Sequence, residues 1–292
     1  MIELWIPITI AAAFLQNVRS VLQKQLTGRL SVNGATYVRF CYALPFAWLY
    51  LAMLSFWRAI PEPTLEFFGY ALAGGVGQML ATVCLLASFK YRNFAVGTAF
   101  SKTEVVQAAV FGLVVLGDLV TWRVGIGIAL SLIGVLMLST RLRLGEAWKL
   151  DRAASLGLLS GALFAAAIVS YRGAALALES GDYLIRASFT LAISISLQTV
   201  LMAIYLVARE PGEMRRVGGA WRPAFWVGLT GMLASAGWLT AVTLESAALV
   251  RAVGQVELLF TFAASIWLFK ERVGFREIVG VAFVILGIYV VL

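Results

Sequence analysis

Long apolar stretches recur along the whole chain, and short segments rich in charged residues, Gly or Pro separate them. A helix needs about 20 residues to cross the hydrocarbon core of a bilayer. Stretches of about this length lie at 4–26, 34–57, 65–89, 94–116, 121–139, 153–178, 182–208, 223–245, 248–269 and 274–292. The pattern predicts an all-α polytopic membrane protein with ten transmembrane helices and no separate soluble domain.

Composition agrees with this fold class. The chain is 61% hydrophobic and 13% charged, with a mean hydropathy of +0.91, whereas a soluble domain carries about 25% charged residues. The formal charge of +8 comes from Lys and Arg scattered among short loops, a distribution that does not indicate a nucleic-acid partner.

The basic residues instead predict orientation. They concentrate in alternate loops and flanks, at 24–29, 90–92, 141–152, 209–222 and 270–276. The other loops and helix starts hold Arg58, Arg123, Arg186 and Arg251. By the positive-inside rule, both termini face outward, which in a Gram-negative cell means the periplasmic side of the inner membrane.

The sequence also contains an internal repeat. A shift of 153 residues lays 75–137 over 228–290 and aligns residues of the same type. The aligned pairs include Glu104 with Glu257, Asp118 with Glu271, Arg123 with Arg276, Gly127 with Gly280 and Gly134 with Gly287, and the same offset also pairs Arg19 with Arg172. A six-residue shift then pairs Arg39 with Arg186. Charged residues are rare in this chain, so their coincidence predicts two five-helix repeats, 1–144 and 145–292.

An odd number of helices per repeat means that the second copy enters the membrane from the opposite side. Inverted repeats of this kind are a transporter architecture, with the substrate near the midplane and access that alternates between the two sides. The predicted partners are therefore a small-molecule substrate and the lipid bilayer, with protons as a candidate coupling ion.

Charged residues within the spans mark the candidate site. Lys102 and Glu104 lie deep in the fourth span, and Glu257 lies at the matching depth in the ninth. An ionisable group there costs at least about 2.5–3.5 kcal/mol on insertion scales, and residues two apart on a helix do not face each other. Each charge therefore needs a partner elsewhere, either a substrate group or another side chain such as Arg19 or Arg172.

Other polar and aromatic residues within the spans are weaker candidates. Gln16, Arg19 and Gln23 form a polar stripe on the first helix that cannot face lipid. Phe100 and Trp238 lie deep enough to stack on an apolar ligand, although ordinary packing explains them equally well. Gln78 and Gln255 are also candidates for substrate contact, although a hydrogen bond to a neighbouring helix explains most glutamines within spans. Gln255 aligns with Lys102 in the repeat.

The sequence gives no sign of a cofactor. It contains no His and no CxxC, which disfavours a transition-metal site, and nothing in it resembles the GxxxxGK[ST] loop of ATP-using proteins. Cys41 and Cys84 both lie within spans, so we expect no disulfide framework.

In each half, an acid is followed by [WF]R, GxA and a late glycine, as in LFKERVGFREIVGVAFVILGIYVV. This pattern, with ten helices in two inverted halves, resembles the drug/metabolite transporter superfamily and its EamA-type exporters. Within that family the chain is most similar to the YddG group of aromatic amino acid exporters. The resemblance implies export without ATP through a central cavity lined by the first four helices of each repeat.

Other functions remain open at this point. The same fold could carry a sugar phosphate, nucleotide sugar, nucleobase or cationic drug, and a phosphate carrier would cluster Lys and Arg as Lys102, Arg19 and Arg172 could do. An integral membrane enzyme is disfavoured because no loop concentrates acids and there is no His. A channel built from symmetric rings is disfavoured by the mismatch between Lys102 and Gln255.

Overall fold

All regular structure in the described part of the chain is helical. The computed structural model describes residues 3–24, 26, 28–88, 100–139, 152–269 and 274–292. Its helices are α1 (Trp5–Lys24), α2 (Val32–Cys41), α3 (Leu44–Ser55), α4 (Leu65–Ser88), α5 (Glu104–Phe111), α6 (Trp122–Ser139), α7 (Arg152–Leu176), α8 (Tyr183–Arg209), α9 (Glu213–Gly219), α10 (Trp221–Leu244), α11 (Ala247–Val253), α12 (Val256–Phe269) and α13 (Phe275–Val291). A π-helical turn, Gly112–Leu116, follows α5.

Six helical segments in these ranges are long and apolar enough to cross a membrane, with α2 and α3 together forming one of them. Shorter apolar helices cover Glu104–Leu116 and Trp122–Leu138. The polytopic membrane class is therefore confirmed, while the total of ten spans stays a prediction. Residues 94–99 of the fourth predicted span and Glu271 of the repeat lie outside the described residues.

The second predicted span is interrupted near its middle. Helix α2 ends at Cys41 and α3 begins at Leu44, with Pro45 in its first turn. Proline has no N–H, and its ring clashes with the carbonyl four residues earlier, which here is that of Cys41. The proline therefore separates two helices that apolar periodicity alone joins into one.

The helices form two compact units, and each unit draws on both halves of the chain. The first unit contains Met1–Gly75 and Tyr171–Leu244, and the second contains Val76–Ser170 and Glu245–Leu292. These units do not coincide with the predicted repeats, 1–144 and 145–292, which are defined by sequence similarity alone. The repeats remain a prediction.

In the first unit, α1 packs along α10, and α8 packs against α2, α3 and α10. Side chains such as Leu26, Val38, Leu206 and Val227 are fully buried in this core. At the end of α8, the Glu210 carboxylate accepts hydrogen bonds from Ser31 Oγ (2.5 Å) and Asn33 Nδ2 (2.6 Å). These bonds fasten the start of α2 to the end of α8.

In the second unit, α6 and α13 approach so closely that their glycines meet backbone. A Cβ added at Gly134 would lie 2.5 Å from the Gly280 carbonyl oxygen and 2.7 Å from the Val284 nitrogen. A Cβ at Gly127 would lie 2.7 Å from the Gly287 carbonyl oxygen. The glycine spacing that the repeat preserves is thus a seam of small residues of the kind that lets membrane helices approach closely.

We expect Gly134→Ala to destabilise the protein, because its methyl group overlaps the backbone of α13. The cost of such overpacking is about 1–3 kcal/mol. Gly125→Ala on the same helix is the matched control, since a Cβ there meets no atom within 4 Å. Both substitutions raise the helix propensity by the same amount. Thermal unfolding in detergent should show a lower Tm for Gly134→Ala than for Gly125→Ala; equal values would contradict the close approach.

Stability should also depend on pH through Glu210. Hydrogen bonds from Asn33 and then Ser31 lower the pKa of this carboxyl below its ordinary value of about 4.3. The contribution is therefore fully present above the unfolded-state pKa and is lost as the pH falls through the lower folded-state pKa.

We expect Glu210→Gln to reduce stability at pH 7 by about 1 kcal/mol, through weaker hydrogen bonds to Ser31 and Asn33. The difference in Tm from the unmodified protein should shrink as the pH is lowered towards 3.5. Glu62→Gln, at an exposed position, is the control and should change neither the stability at pH 7 nor the dependence of Tm on pH. A deficit for Glu210→Gln that is constant with pH would show that the charge of Glu210 is unimportant.

Candidate functional site

The second unit contains two interruptions of helix at positions that the repeat aligns. Lys102 and Thr103 form a turn immediately before α5, and Gly254 and Gln255 form a turn between α11 and α12. The shift of 153 residues places Lys102 on Gln255. Each half therefore breaks its helix at the same point, two residues before a glutamate.

The hydrogen bonds at both turns span one residue fewer than in an α-helix. The Thr103 N–H donates to the Phe100 carbonyl (3.2 Å), and the Glu257 N–H donates to the Gly254 carbonyl (3.0 Å). Such tighter turns are frequent at helix termini, and within a helix they often mark a functional hinge or a strained sequence. Non-helical backbone at membrane depth is tolerated where it is buried in protein or lines a cavity.

Two ion pairs cross between the halves at these breaks. Lys102 Nζ pairs with Glu257 Oε1, and Arg251 Nη2 pairs with Glu104 Oε1 at 2.7 Å. Each glutamate thus takes its cation from the opposite half of the sequence. The charge of Arg251 also interacts with Glu257, so the four groups form one charge-balanced network.

The network is largely shielded from solvent. The side chains of Lys102 and Glu257 are 17% and 15% exposed, and those of Arg251 and Glu104 are 16% and 8% exposed. Charges in such surroundings are stabilised by their partners rather than by water, and removal of one partner leaves the other uncompensated. The four side chains therefore depend on one another.

Helix geometry adds to the stabilisation of both carboxylates. Glu104 is the first residue of α5, and Glu257 lies in the first turn of α12. Carboxylates near a helix N-terminus interact favourably with the helix dipole and with backbone N–H groups that lack a partner inside the helix. The breaks create the two helix starts that hold the glutamates.

Close packing by α7 fixes the first break. A Cβ at Gly161 would lie 2.9 Å from the Ser101 carbonyl oxygen and 3.2 Å from the Glu104 nitrogen. Phe100 packs against Ala153 and Ala154 at the start of the same helix. Small residues on α7 therefore let its backbone touch the turn that carries Lys102.

The other residues proposed from the sequence fall into both units. Phe100, Gln78 and Gln255 belong to the second unit with the charge network. Gln255 is buried, and its Oε1 has no hydrogen-bond partner among the described residues. The Gln78 carbonyl accepts a bond from Thr82 Oγ1 (2.9 Å).

Gln16, Arg19 and Trp238 belong to the first unit. Trp238 Nε1 donates to Gln16 Oε1 (3.0 Å), and Arg19 is buried against Gly231 of α10. Gln23 Nε2 donates to the Ala35 carbonyl (2.9 Å). The polar stripe of α1 thus faces protein, as its pattern predicts.

Sequence reasoning missed Arg251. The span pattern predicts that Arg251 lies at a helix start, where a long arginine side chain can extend to the membrane surface. In the structure it lies in the last turn of α11, a helix of only seven residues that ends at the break. One signal was present: the spans hold two deep glutamates, and Lys102 could compensate only one of them.

The fold and the site together define a multi-spanning membrane protein whose second unit contains a largely shielded, charge-balanced network at helix breaks. The EamA-like transporter family model matches residues 3–140 and again 152–292. The chain therefore belongs to the EamA-like transporter family, whose members are transporters rather than enzymes. The two matches cover one half of the chain each.

Comparison with solved structures supports the fold. A crystal structure described only as that of a protein superposes with a TM-score of 0.75 at 14% sequence identity, over 98% of this chain and 95% of the other. At this identity the likeness concerns the fold alone. No curated protein matches the sequence.

A double-mutant cycle on Glu104 and Arg251 should reveal their coupling. Glu104→Gln and Arg251→Gln each leave a charge without its partner, and each should cost about 3–5 kcal/mol. The double variant should be clearly more stable than the sum of the two single effects predicts. The exposed pair of Arg58 and Asp182, at 2.6 Å, is the control and should show a coupling of about 0–1 kcal/mol. Additive effects at Glu104 and Arg251 would contradict the pairing.

Proposed function

We propose that the protein is a secondary transporter of the plasma membrane that exports amino acids, aromatic or neutral, or similar small metabolites. Membership of the EamA-like family supports the transporter class. The observation that carries the substrate class is the pair of crossed ion pairs at the two helix breaks.

A zwitterion is the solute that suits this network. The four side chains are balanced, with two cations and two carboxylates. A substrate carboxylate can replace a glutamate beside Lys102 or Arg251, while its ammonium group replaces a cation beside Glu257 or Glu104. The exchange adds no net charge to a shielded site, whereas a singly charged solute would leave one buried charge uncompensated.

The breaks suit alternating access. Transporters with repeated halves bind substrate and coupling ions at discontinuous helices near the membrane midplane. On this proposal, 1–144 and 145–292 are inverted repeats, and both termini face outward. Glu104 and Glu257 are the candidate proton carriers if transport is coupled to protons.

The remaining candidates would contribute shape and hydrogen bonding. Phe100 and Trp238 offer aromatic surface for an apolar or aromatic side chain of the substrate, and Gln78 and Gln255 offer amide groups. Gln16 and Arg19 would act through the first unit, where Gln16 holds the Trp238 indole.

Uptake by the purified protein in liposomes tests the proposal. Labelled phenylalanine, tryptophan, a small neutral amino acid, a sugar phosphate and a cationic dye are compared with and without a pH gradient. We expect selective flux of the zwitterions. Flux confined to the sugar phosphate or the dye would reject amino acid transport while leaving the transporter class intact.

Variants then distinguish function from folding. Lys102→Ala should abolish zwitterion flux in protein that remains monodisperse, and Glu104→Gln or Glu257→Gln should abolish any dependence of flux on pH. The double variant Glu104→Gln/Arg251→Gln removes both charges of one pair and so leaves neither without its partner. Arg58→Ala serves as a control at an exposed ion pair. Unchanged flux in the folded double variant would remove that pair from the mechanism.

A further inference from the structure

A second group of cationic side chains lies inside the first unit. Arg19 on α1 and Arg39 on α2 converge on Gly231 of α10. A Cβ added at Gly231 would lie 3.2 Å from Arg19 Cδ and 3.9 Å from Arg39 Cγ. Gly231 thus gives the two arginine side chains room to lie beside the same point of α10.

Arg39 has polar and aromatic neighbours and, in the part of the chain that the structure describes, no acidic one. Its guanidinium carbon lies 5.3 Å from the centroid of the Phe40 ring, and its charge interacts with the Tyr171 hydroxyl. Tyr171 accepts a hydrogen bond from Gln198 Nε2 (3.1 Å). Among the described residues, no carboxylate pairs with Arg39.

The other intramembrane cations show how unusual this arrangement is. Lys102 and Arg251 each pair with a glutamate. Arg186, the repeat counterpart of Arg39, donates to the Leu178 carbonyl (3.4 Å), and Arg172, the counterpart of Arg19, donates to the Val242 carbonyl (2.6 Å). Arg39 makes no such bond to the described residues.

A cation within the membrane-spanning part of a protein needs compensation, and Arg39 has no acidic partner among the described residues. The planar guanidinium group matches the geometry of carboxylate and phosphate oxygens and can bind them through two parallel hydrogen bonds. We propose that Arg39, with Arg19 beside it, binds the anionic group of a small solute, either a carboxylate or a phosphate. This site does not depend on a substrate role for Lys102.

Ligand-dependent thermal unfolding of the purified full-length protein tests the proposal, because a ligand that binds only the folded state raises Tm. Four probes separate the chemistry: 3-phenylpropionate has a carboxylate alone, phenylalanine has a carboxylate and an ammonium group, phenethylamine has the ammonium group alone, and inorganic phosphate has no organic part. We expect a saturable increase in Tm with 3-phenylpropionate, with phosphate or with both. Phenethylamine should give no increase that depends on Arg39.

Substitutions assign the effect to Arg39. Arg39→Gln should abolish the increase, and Arg39→Lys should shift its midpoint to at least several-fold higher ligand concentration, because lysine cannot form the two parallel bonds. Arg186→Gln is the matched control and should respond like the unmodified protein.

Three results would overturn the proposal: no saturable increase with any anion, an equal response in Arg39→Gln, or an Arg39-dependent response to phenethylamine. If Arg39→Gln does not fold, the test falls to Arg39→Lys. A ligand concentration at half of the Tm increase that is the same as in the unmodified protein would then overturn the proposal. A response to phosphate but not to 3-phenylpropionate would identify a phosphate site. Arg39-dependent binding without flux of any of the labelled amino acids would reject the amino acid proposal and leave this one standing.

Discussion

Compensation of buried charge is the constraint on which the second unit depends. Lys102, Glu104, Arg251 and Glu257 are shielded from solvent, and each is stabilised by a group from the other half of the sequence. In such surroundings the loss of one partner is far more costly than at the surface. The pairing therefore ties α5, α11 and α12 together while keeping the centre neutral.

Glycine and other small residues make this arrangement possible. Gly161 allows the backbone of α7 to touch the turn before Glu104, and Gly134 allows α6 and α13 to meet at backbone distance. Hydrophobic burial does not drive helices together within lipid, so close packing of this kind contributes much of their association. The charges are consequently held by helices whose spacing is set by contacts between backbones.

Arg251 in the second unit and Arg39 in the first unit lie in different surroundings. In the second unit, Arg251 has an acidic partner, whereas in the first unit Arg39 lies near Tyr171 and the Phe40 ring without one among the described residues. The repeat counterpart Arg186 instead bonds to a backbone carbonyl. The aligned positions Arg39 and Arg186 thus differ in the chemistry that surrounds their guanidinium groups.

The sequence alone determined the membrane class and the location of most helices, and it singled out Lys102, Glu104 and Glu257 as charged residues within predicted spans, because apolar length and rare charges are local properties of the chain. It also showed the glycine spacing at 127, 134, 280 and 287. It did not predict the helix breaks at 102–103 and 254–255, since apolar periodicity continues through both. Nor did it identify Arg251 as the partner of Glu104, or Arg39 as a neighbour of Gly231. Those relations join residues far apart in the chain, and only the packing of one helix against another decided them.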